Sequence, residues 1–365
     1  MTRHSRRDDA FPAMLYTAID YHRKYSVVRT EDATGNRVCS ARIDQNEPAA
    51  FAGYFAGLPE PSRVVLEACW NWGWLYDLLG ECDQVADRVL SHPYKTRLIA
   101  DAQIKTDGLD TKALCTLLRG NLIAAVHAPS PATRARKYVI RQRMCWVGMR
   151  TRLRNRIHAL IARQRGLERP QFSDQFGKKG LHWLKGLTLP APDGELLAQD
   201  LKALALLGEL IRELEKQTLA ENALDPAAAH LQSLPGVGPI LAAVMVTEID
   251  GIGRFHRADK LCAYAGLAPT THASGGHVHH GRMLPFCNKQ LKWAFIEAAW
   301  VAIGCSDYFG QLYRQHRARG KKANIAITSI ARRMCRIAWQ LLTQKRDFTP
   351  NLPKLILSPA APRKD

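Results

Sequence analysis

The sequence predicts an α/β region followed by two mostly helical regions, and three observations support this fold class. Short apolar runs separated by turn residues fill the first 120 positions and are typical of strands. Beyond residue 130, apolar residues recur at helical spacing. A glycine turn joins two apolar helical segments at 231–249. We therefore expect an α/β domain at 1–125, a basic, coiled-coil-like helical spacer at 126–228, a mostly α domain at 229–346 and a tail at 347–365.

The charge balance indicates a polyanionic partner. The 365 residues include 52 Lys and Arg against 33 Asp and Glu, so the net charge is +19 and the pI is near 9.8. Such an excess most often accompanies nucleic-acid binding. No apolar run approaches the roughly 18 residues needed to span a bilayer, and no secretory signal is visible. The nine cysteines are scattered, which indicates reduced thiols. We expect a cytoplasmic protein with no membrane association.

Strand and helix signals mix in the first region. The apolar runs at 14–21, 62–70 and 84–90 predict strands, and 25–43 predicts a hairpin that turns near Gly35 and Asn36. Helices are expected over 71–80 and over 106–120, where cap-type residues begin the segment and Gly120 ends it.

The middle region carries charge of one sign. From Thr111 to Leu167 there are 13 Lys and Arg and no acidic residue. A charged helical face is often merely solvated, but an unmixed one favours contact with a polyanion. Arg150 and Arg154 are the candidate contacts. After a turn-rich stretch (166–194), a second helix is expected at 194–222, and the two helices could form an antiparallel hairpin or a dimerising coiled coil.

The third region begins with a candidate phosphate-binding turn. Gly236 and Gly238 lie between two apolar helical segments, as in a helix-hairpin-helix, whose exposed backbone N–H groups can bind phosphate. The alternative is an ordinary turn between helices. Two further helices are expected at 286–303 and 324–342.

Four carboxylates form a candidate metal site. Asp20 and Glu67 lie at or near the ends of predicted strands, while Asp107 and Asp110 share one face at the start of a helix. This is how RNase H-like domains hold divalent metal, and hard Mg²⁺ prefers such oxygen ligands. Helix capping by the Asp107–Asp110 pair is the alternative for these two. Glu67 is harder to explain otherwise, since it lies in an apolar segment.

The segment 270–283 is polar and contains a candidate nucleophile. Ser274 precedes Gly275 and Gly276, which would let a DNA backbone approach closely. A serine in such a loop is ordinarily a turn residue, and no neighbouring base activates it. Metal held by the carboxylates could supply that activation. His277, His279 and His280 follow, and loop histidines near DNA more often contact phosphate or solvent than hold a soft metal.

These motifs resemble the IS110-type insertion-sequence transposases. The segments AIDYHRKYSVV, VVLEACWNWGWLYDLL and KTDGLDTKALCTLL look like the family's N-terminal RuvC-like Asp-Glu-Asp-Asp domain. The run GRFHRADKLCAYAGLAP is the most specific part of the resemblance to its C-terminal transposase domain. The resemblance covers nearly the whole chain in the same order.

The resemblance implies a DNA recombinase. It assigns Mg²⁺, with Mn²⁺ as a possible substitute, to Asp20, Glu67, Asp107 and Asp110, and it assigns to Ser274 the attack that joins protein to DNA. It further implies a structured non-coding RNA that selects DNA by base pairing. It implies a homo-oligomer, dimer or tetramer, whose sites combine carboxylates and serine from different subunits, working at a prokaryotic nucleoid.

Two other functions remain open from the residues. A RuvC-like endonuclease would use the carboxylates to activate water, cut DNA by hydrolysis and leave Ser274 without a role. A non-catalytic DNA- or RNA-binding protein would retain the basic helices and a decayed nuclease fold. The intact set of four carboxylates argues against the second of these.

Overall fold

The computed structural model describes residues 14–99, 107–274, 277–283 and 286–350. The chain divides into two compact units, Met1–Pro131 and Ala132–Asp365, and each has hydrophobic cores of its own. The finer division of the chain into four parts stays a prediction.

The first unit is an α/β domain around a five-stranded mixed sheet. The sheet order is β3-β2-β1-β4-β5; β1 pairs antiparallel with β2 and parallel with β4, and β5 is parallel to β4. This arrangement confirms the predicted α/β region and is compatible with an RNase H-like fold. Its elements are β1 (Leu15–Tyr21), β2 (Ser26–Glu31), β3 (Arg37–Ile43), α1 (Pro48–Ala56), β4 (Ser62–Glu67), α2 (Trp72–Leu78), β5 (Val85–Ser91), α3 (Pro93–Ile99) and α4 (Asp107–Arg119).

Alternation along the central strands divides the sheet into two faces. Ile19 and Leu66 pack into one core with helix α1, whereas Ala18 and Val65 face the other core. Helix α4 covers that second face through residues such as Leu114.

The β2–β3 hairpin turns where the sequence predicts. Gly35 has a φ of +96°, a conformation that glycine adopts without strain. Asp32 Oδ1 accepts hydrogen bonds from the backbone N–H groups of Thr34 (2.8 Å) and Asn36 (2.9 Å). The Thr34 hydroxyl also donates to this carboxylate, and together these hydrogen bonds lower the pKa of Asp32 to about 2.

The second unit is mostly helical, as predicted. Its elements are α5 (Pro131–Ala162), α6 (Lys178–Lys185), α7 (Asp193–Asn222), α8 (Pro226–Gln232), α9 (Pro239–Ile249), α10 (Ala258–Tyr264), β6 (Pro269–Ser274), β7 (His277–Met283), α11 (Lys289–Cys305), α12 (Asp307–Ala318) and α13 (Ala323–Gln344). Helices α9, α11 and α13 form the main core of this unit, in which small side chains such as Ala298 and Ala338 let helix backbones approach.

Helices α5 and α7 form an antiparallel hairpin. Arg143 of α5 pairs with Glu215, Arg156 of α5 with Asp200, and Arg163, the residue after α5, with Asp193, so the position on α7 falls as the position along the first helix rises. Ile157 and Leu204 belong to the apolar seam between the two helices. Of the two arrangements left open by the sequence, the chain adopts the hairpin within one molecule.

Two segments differ from their predicted structure. The turn-rich stretch 166–194 contains the short helix α6, which buries Leu184 against the α5–α7 core. The polar loop 270–283 is an antiparallel β-hairpin made of β6 and β7. Two runs separated by a Gly-Gly pair are a hairpin signal, but the lack of apolar residues obscured it. Among the described residues, no helix combines the length and apolarity needed to cross a membrane.

Candidate active-site residues and nucleic-acid-binding surfaces

Asp20 and Glu67 lie side by side at the carboxyl ends of two neighbouring parallel strands. Ile19 of β1 is in register with Leu66 of β4, so the next residue on each strand is one of these carboxylates. Both lie two positions after Ala18 and Val65, and therefore on the sheet face that α4 covers. Burial raises the pKa of the nearby Cys69 thiol, and the charges of Glu67 and Asp20 raise it further. Both carboxylates are therefore close enough to Cys69 to affect its pKa.

Helix α4 begins at this end of the sheet. Its Cys115 thiol donates to the Tyr16 carbonyl (3.5 Å), and its last residue, Arg119, pairs with Glu31, which lies opposite Tyr16. Cys115 Sγ also donates to the carbonyl of Arg29 (3.3 Å), which lies opposite Ala18, so the helix runs from the Asp20 end of β1 toward Tyr16 and is antiparallel to the strand. Eight helical residues from Cys115 back to Asp107 span about 12 Å, and four strand residues from Tyr16 to Asp20 span about 13 Å. The start of α4 is thus level with Asp20.

The four predicted metal ligands differ in how exposed they are. Asp20 and Glu67 are half-buried, whereas Asp110 is exposed and the side chain of Asp107 lies outside the described side chains. Within the part of the molecule that is described, no three His, Cys, Asp or Glu side chains are close enough to hold one metal ion. The backbone thus brings all four residues to one end of the sheet, and the described side chains provide one adjacent carboxylate pair.

His22 is a site residue that the sequence reasoning missed. Its Nε2 lies 3.1 Å from Asp20 Oδ2, and its ring packs on Tyr25 with 4.5 Å between the ring centroids. The signal was the i, i+2 spacing, which places both side chains on one face of an extended segment. Contact with an imidazole fixes the orientation of the Asp20 carboxylate. The oxygen ligands at this site fit Mg²⁺, because that ion prefers carboxylates and retains water ligands.

Ser274 is the last residue of β6 and pairs in register with His277 of β7. It therefore lies at the tip of the hairpin, beside Gly275 and Gly276, which are outside the described residues. The base of the hairpin is held by other elements of the second unit. Arg332 Nε donates to the Leu267 carbonyl before β6, and Asn288 follows β7 as the N-cap of α11.

The exit from this hairpin is tied to a buried carboxylate. Asn288 Nδ2 donates to Glu248 Oε2 (2.8 Å) on α9, and Glu248 is fully buried. Arg141 donates to both carboxylate oxygens, at 3.1 and 3.2 Å, and Lys137 Nζ lies 3.6 Å away. The backbone N–H of Asn288 also donates to the Tyr264 carbonyl (2.8 Å). Glu248 therefore links α5 to the helix that follows the Ser274 hairpin.

The two glycines of the predicted phosphate-binding turn have different surroundings. Gly236 has a φ of +84°, and a Cβ there would lie 2.3 Å from the Ala298 carbonyl oxygen of α11. Its lack of a side chain is therefore explained by packing against α11. Gly238 is exposed and precedes Pro239, the first residue of α9. Phosphate binding by this turn stays a prediction.

Part of the one-signed charge of α5, which contains nine Lys and Arg, is balanced inside the second unit. Four of its cations pair with acidic residues of α7 or α9, as given above for Arg141, Arg143, Arg156 and Lys137. Burial, followed by repulsion from Arg154 and Arg143, lowers the pKa of Arg150. The Arg154 guanidinium stacks over Phe176, 4.9 Å from the ring centroid. Nucleic-acid contact by Arg150 and Arg154 stays a prediction.

Known transposases match this chain. Residues 228–314, which include Glu248 and Ser274, match the model described as the transposase IS116/IS110/IS902 family. The resemblance to IS110-type transposases is confirmed. At 30% identity, the chain is similar to the "Insertion element IS116 uncharacterized 44.8 kDa protein" of Streptomyces clavuligerus. That alignment covers 41% of this chain and only 38% of the relative.

Two other relatives align over almost their full length. One is named "Probable family 20 transposase" of Pseudomonas aeruginosa; it is 25% identical, over 91% of this chain and 98% of its own. The other, "Transposase for insertion sequence element IS1328" of Yersinia enterocolitica, is 23% identical over 93% of this chain and 99% of its own. The similarity therefore extends beyond residues 228–314 into the α/β unit.

Proposed function

We propose that the protein is a DNA transposase of an insertion sequence that cuts and rejoins strands with metal-dependent phosphoryl transfer. The observation that carries the proposal is the Asp20–Glu67 pair at the ends of adjacent parallel strands, level with the start of α4. Two neighbouring carboxylates in a chain of net charge +19 repel a phosphate unless a cation lies between them. The full-length similarity to transposases supports the choice of DNA as substrate.

In this proposal the carboxylates of the α/β unit hold Mg²⁺, for which Mn²⁺ can substitute. Asp20 and Glu67, joined by Asp107 and Asp110, are the ligands, and His22 orients Asp20. The bound metal would stabilise charge on the phosphate and lower the pKa of a hydroxyl near it. These residues thus hold and orient the reacting phosphate.

Ser274 is the proposed nucleophile. Its Oγ forms a bond to a DNA phosphorus as the bond to one deoxyribose oxygen breaks, and that oxygen leaves as a free hydroxyl. Rejoining is the reverse reaction with a new hydroxyl, so no phosphodiester bond energy is lost. The position of Ser274 at a hairpin tip supports the proposal, and the two residues that follow it in the sequence are glycines, a residue type that permits close approach of a DNA backbone.

The proposal includes two partners whose support comes from the resemblance. A structured non-coding RNA selects donor and target DNA by base pairing. The protein acts as a dimer or tetramer.

Hydrolysis is the second candidate chemistry. The carboxylate pair lies in the first unit and Ser274 in the second, and a water-activating endonuclease needs only the first. The two reactions differ in whether DNA becomes attached to protein.

The test is a search for a covalent protein–DNA adduct. The protein is incubated with supercoiled DNA, Mg²⁺ and RNA transcribed from the flanks of its gene, then denatured, digested and mapped for nucleotide-modified peptides. We expect the adduct on Ser274 and none with Ser274→Ala. Cleaved DNA with free ends and no adduct, in wild type and variant alike, would assign the chemistry to hydrolysis.

A further inference from the structure

A second stretch of one-signed charge lies near the end of the chain. No Asp or Glu occurs between Asp307 and Asp347, and ten Lys and Arg fall in this interval. The stretch covers most of α12 and all of α13. In the sequence this stretch comes after the Ser274 hairpin, whereas α5 comes before it.

The arginines of α13 make contacts within the second unit. Arg333 Nε donates to the Tyr308 hydroxyl (2.9 Å), and Arg336 Nη2 lies 2.8 Å from Asp259 Oδ1. Arg332 holds the Leu267 carbonyl at the base of the β6–β7 hairpin. These three arginines are therefore engaged within the second unit.

Five of the other seven cations lie where α12 turns into α13. Arg314, Arg317, Arg319, Lys321 and Lys322 lie around Gly320, whose φ of +78° makes the turn; we call these five residues the basic corner. None of them has an acidic partner among the described residues. Arg314, Arg317, Arg319 and Lys322 are exposed.

The corner has a positive local potential. His316 lies within it, 3.3 Å from Lys321 Nζ. Burial lowers the pKa of His316, and the charges of Lys321 and Arg319 lower it further. An anion bound here would therefore be attracted by several cations at once.

We propose that the basic corner binds the phosphate backbone of duplex DNA. These arginines and lysines have no acidic partner among the described residues, which suits contact with successive phosphates. Between Arg314 and Lys322 there is no Phe, Tyr or Trp, although single-stranded nucleic acids are usually held by stacking on such rings. The choice of DNA over other polyanions rests on the proposed transposase function. The inference that the basic corner binds phosphate is based on its charges alone and does not depend on that function.

The test compares two triple variants of the full chain. In the first, Arg314, Arg319 and Lys322 become alanine; none of these side chains makes a hydrogen bond within the described residues. The matched control replaces Lys202, Arg212 and Lys216, three exposed cations of α7, which also carries acidic residues. Both variants lose three positive charges. Binding to a labelled random-sequence duplex is measured by fluorescence anisotropy over a range of NaCl concentrations, without Mg²⁺ or cleavage.

The corner variant should lose affinity roughly tenfold or more, and its log–log salt slope should fall by about 2 to 3. The control should stay within about twofold of wild type, and thermal melting checks that both variants fold. Replacing Arg314 and Arg319 by lysine should restore binding. Equal losses in both triple variants, or an unchanged slope in the corner variant, would overturn the proposal. So would a loss confined to single-stranded RNA. None of these outcomes depends on Ser274 or the carboxylates, so the surface can fail while the proposed chemistry stands.

Discussion

At the scale of one residue, the buried carboxylate of Glu248 joins three parts of the second unit. It is fully buried, yet Lys137, Arg141 and Asn288 all contact its carboxylate. A buried carboxylate with this many donors is stable only while they remain. Removing it would leave Lys137, which is itself buried, without a counter-charge.

Glu248→Gln should therefore destabilise the protein by about 3 to 5 kcal/mol. The measurement is urea unfolding followed by circular dichroism. Glu215→Gln is the matched control, because Glu215 is only partly buried in its pair with Arg143 and its loss should cost about 1 kcal/mol or less. Similar values for the two variants would show that burial does not distinguish them.

At the scale of elements, the α5–α7 hairpin provides some cations of the basic helix with acidic partners in the same chain. The one-signed charge of α5 predicts a polyanion contact, but two of its cations, Arg143 and Arg156, pair with acidic residues of α7. Asp200 is buried and receives both Arg156 Nε (2.8 Å) and Nη2. The acidic partners lie 30 to 72 residues further along the chain, where no local pattern could reveal them.

This register can be tested with a double-mutant cycle. Arg156→Ala and Asp200→Ala should show a coupling energy of about 1 kcal/mol, because Arg156 is largely exposed and its pair is partly screened. The same cycle on Arg156 and Glu215, which do not pair, should give a value near zero. Equal coupling in both cycles would contradict the antiparallel register.

At the scale of the whole molecule, the proposed function assigns DNA binding to the cations and strand cleavage to the carboxylates. The cations that give the net charge of +19 can hold DNA without metal. The proposed cleavage requires the carboxylates at the ends of β1 and β4.

Chelation should therefore separate the two activities. We expect EDTA to abolish strand cleavage and to leave affinity for duplex DNA within about twofold. Cleavage is followed on gels and binding by anisotropy at constant ionic strength, and excess Mg²⁺ is added back as the control. Cleavage that persists in EDTA would remove the metal from the mechanism, and loss of binding would assign the metal a part in holding DNA.

Local patterns were sufficient for much of this protein. Strand alternation, helical spacing and turn residues predicted the α/β unit, the long helices and the turn at Gly35, because each depends on residues near in sequence. The same patterns placed Asp20 and Glu67 at strand ends. Short elements such as α6, α10 and α12 were missed, since seven to twelve residues give little periodicity, and the β6–β7 hairpin was missed because its strands are polar.

The sequence by itself determined the order of the main elements, the net charge and the strand-end positions of Asp20 and Glu67, since these follow from residue type and spacing; the role proposed for Ser274 comes from the resemblance. Only the tertiary structure decided which charges are already paired. It joined α5 cations to α7 and α9, set His22 on Asp20, packed Gly236 against α11 and left the basic corner without acidic partners among the described residues. The reason is physical: the free energy of a charge or a glycine depends on its neighbours in space, and the fold brings those neighbours from distant parts of the chain.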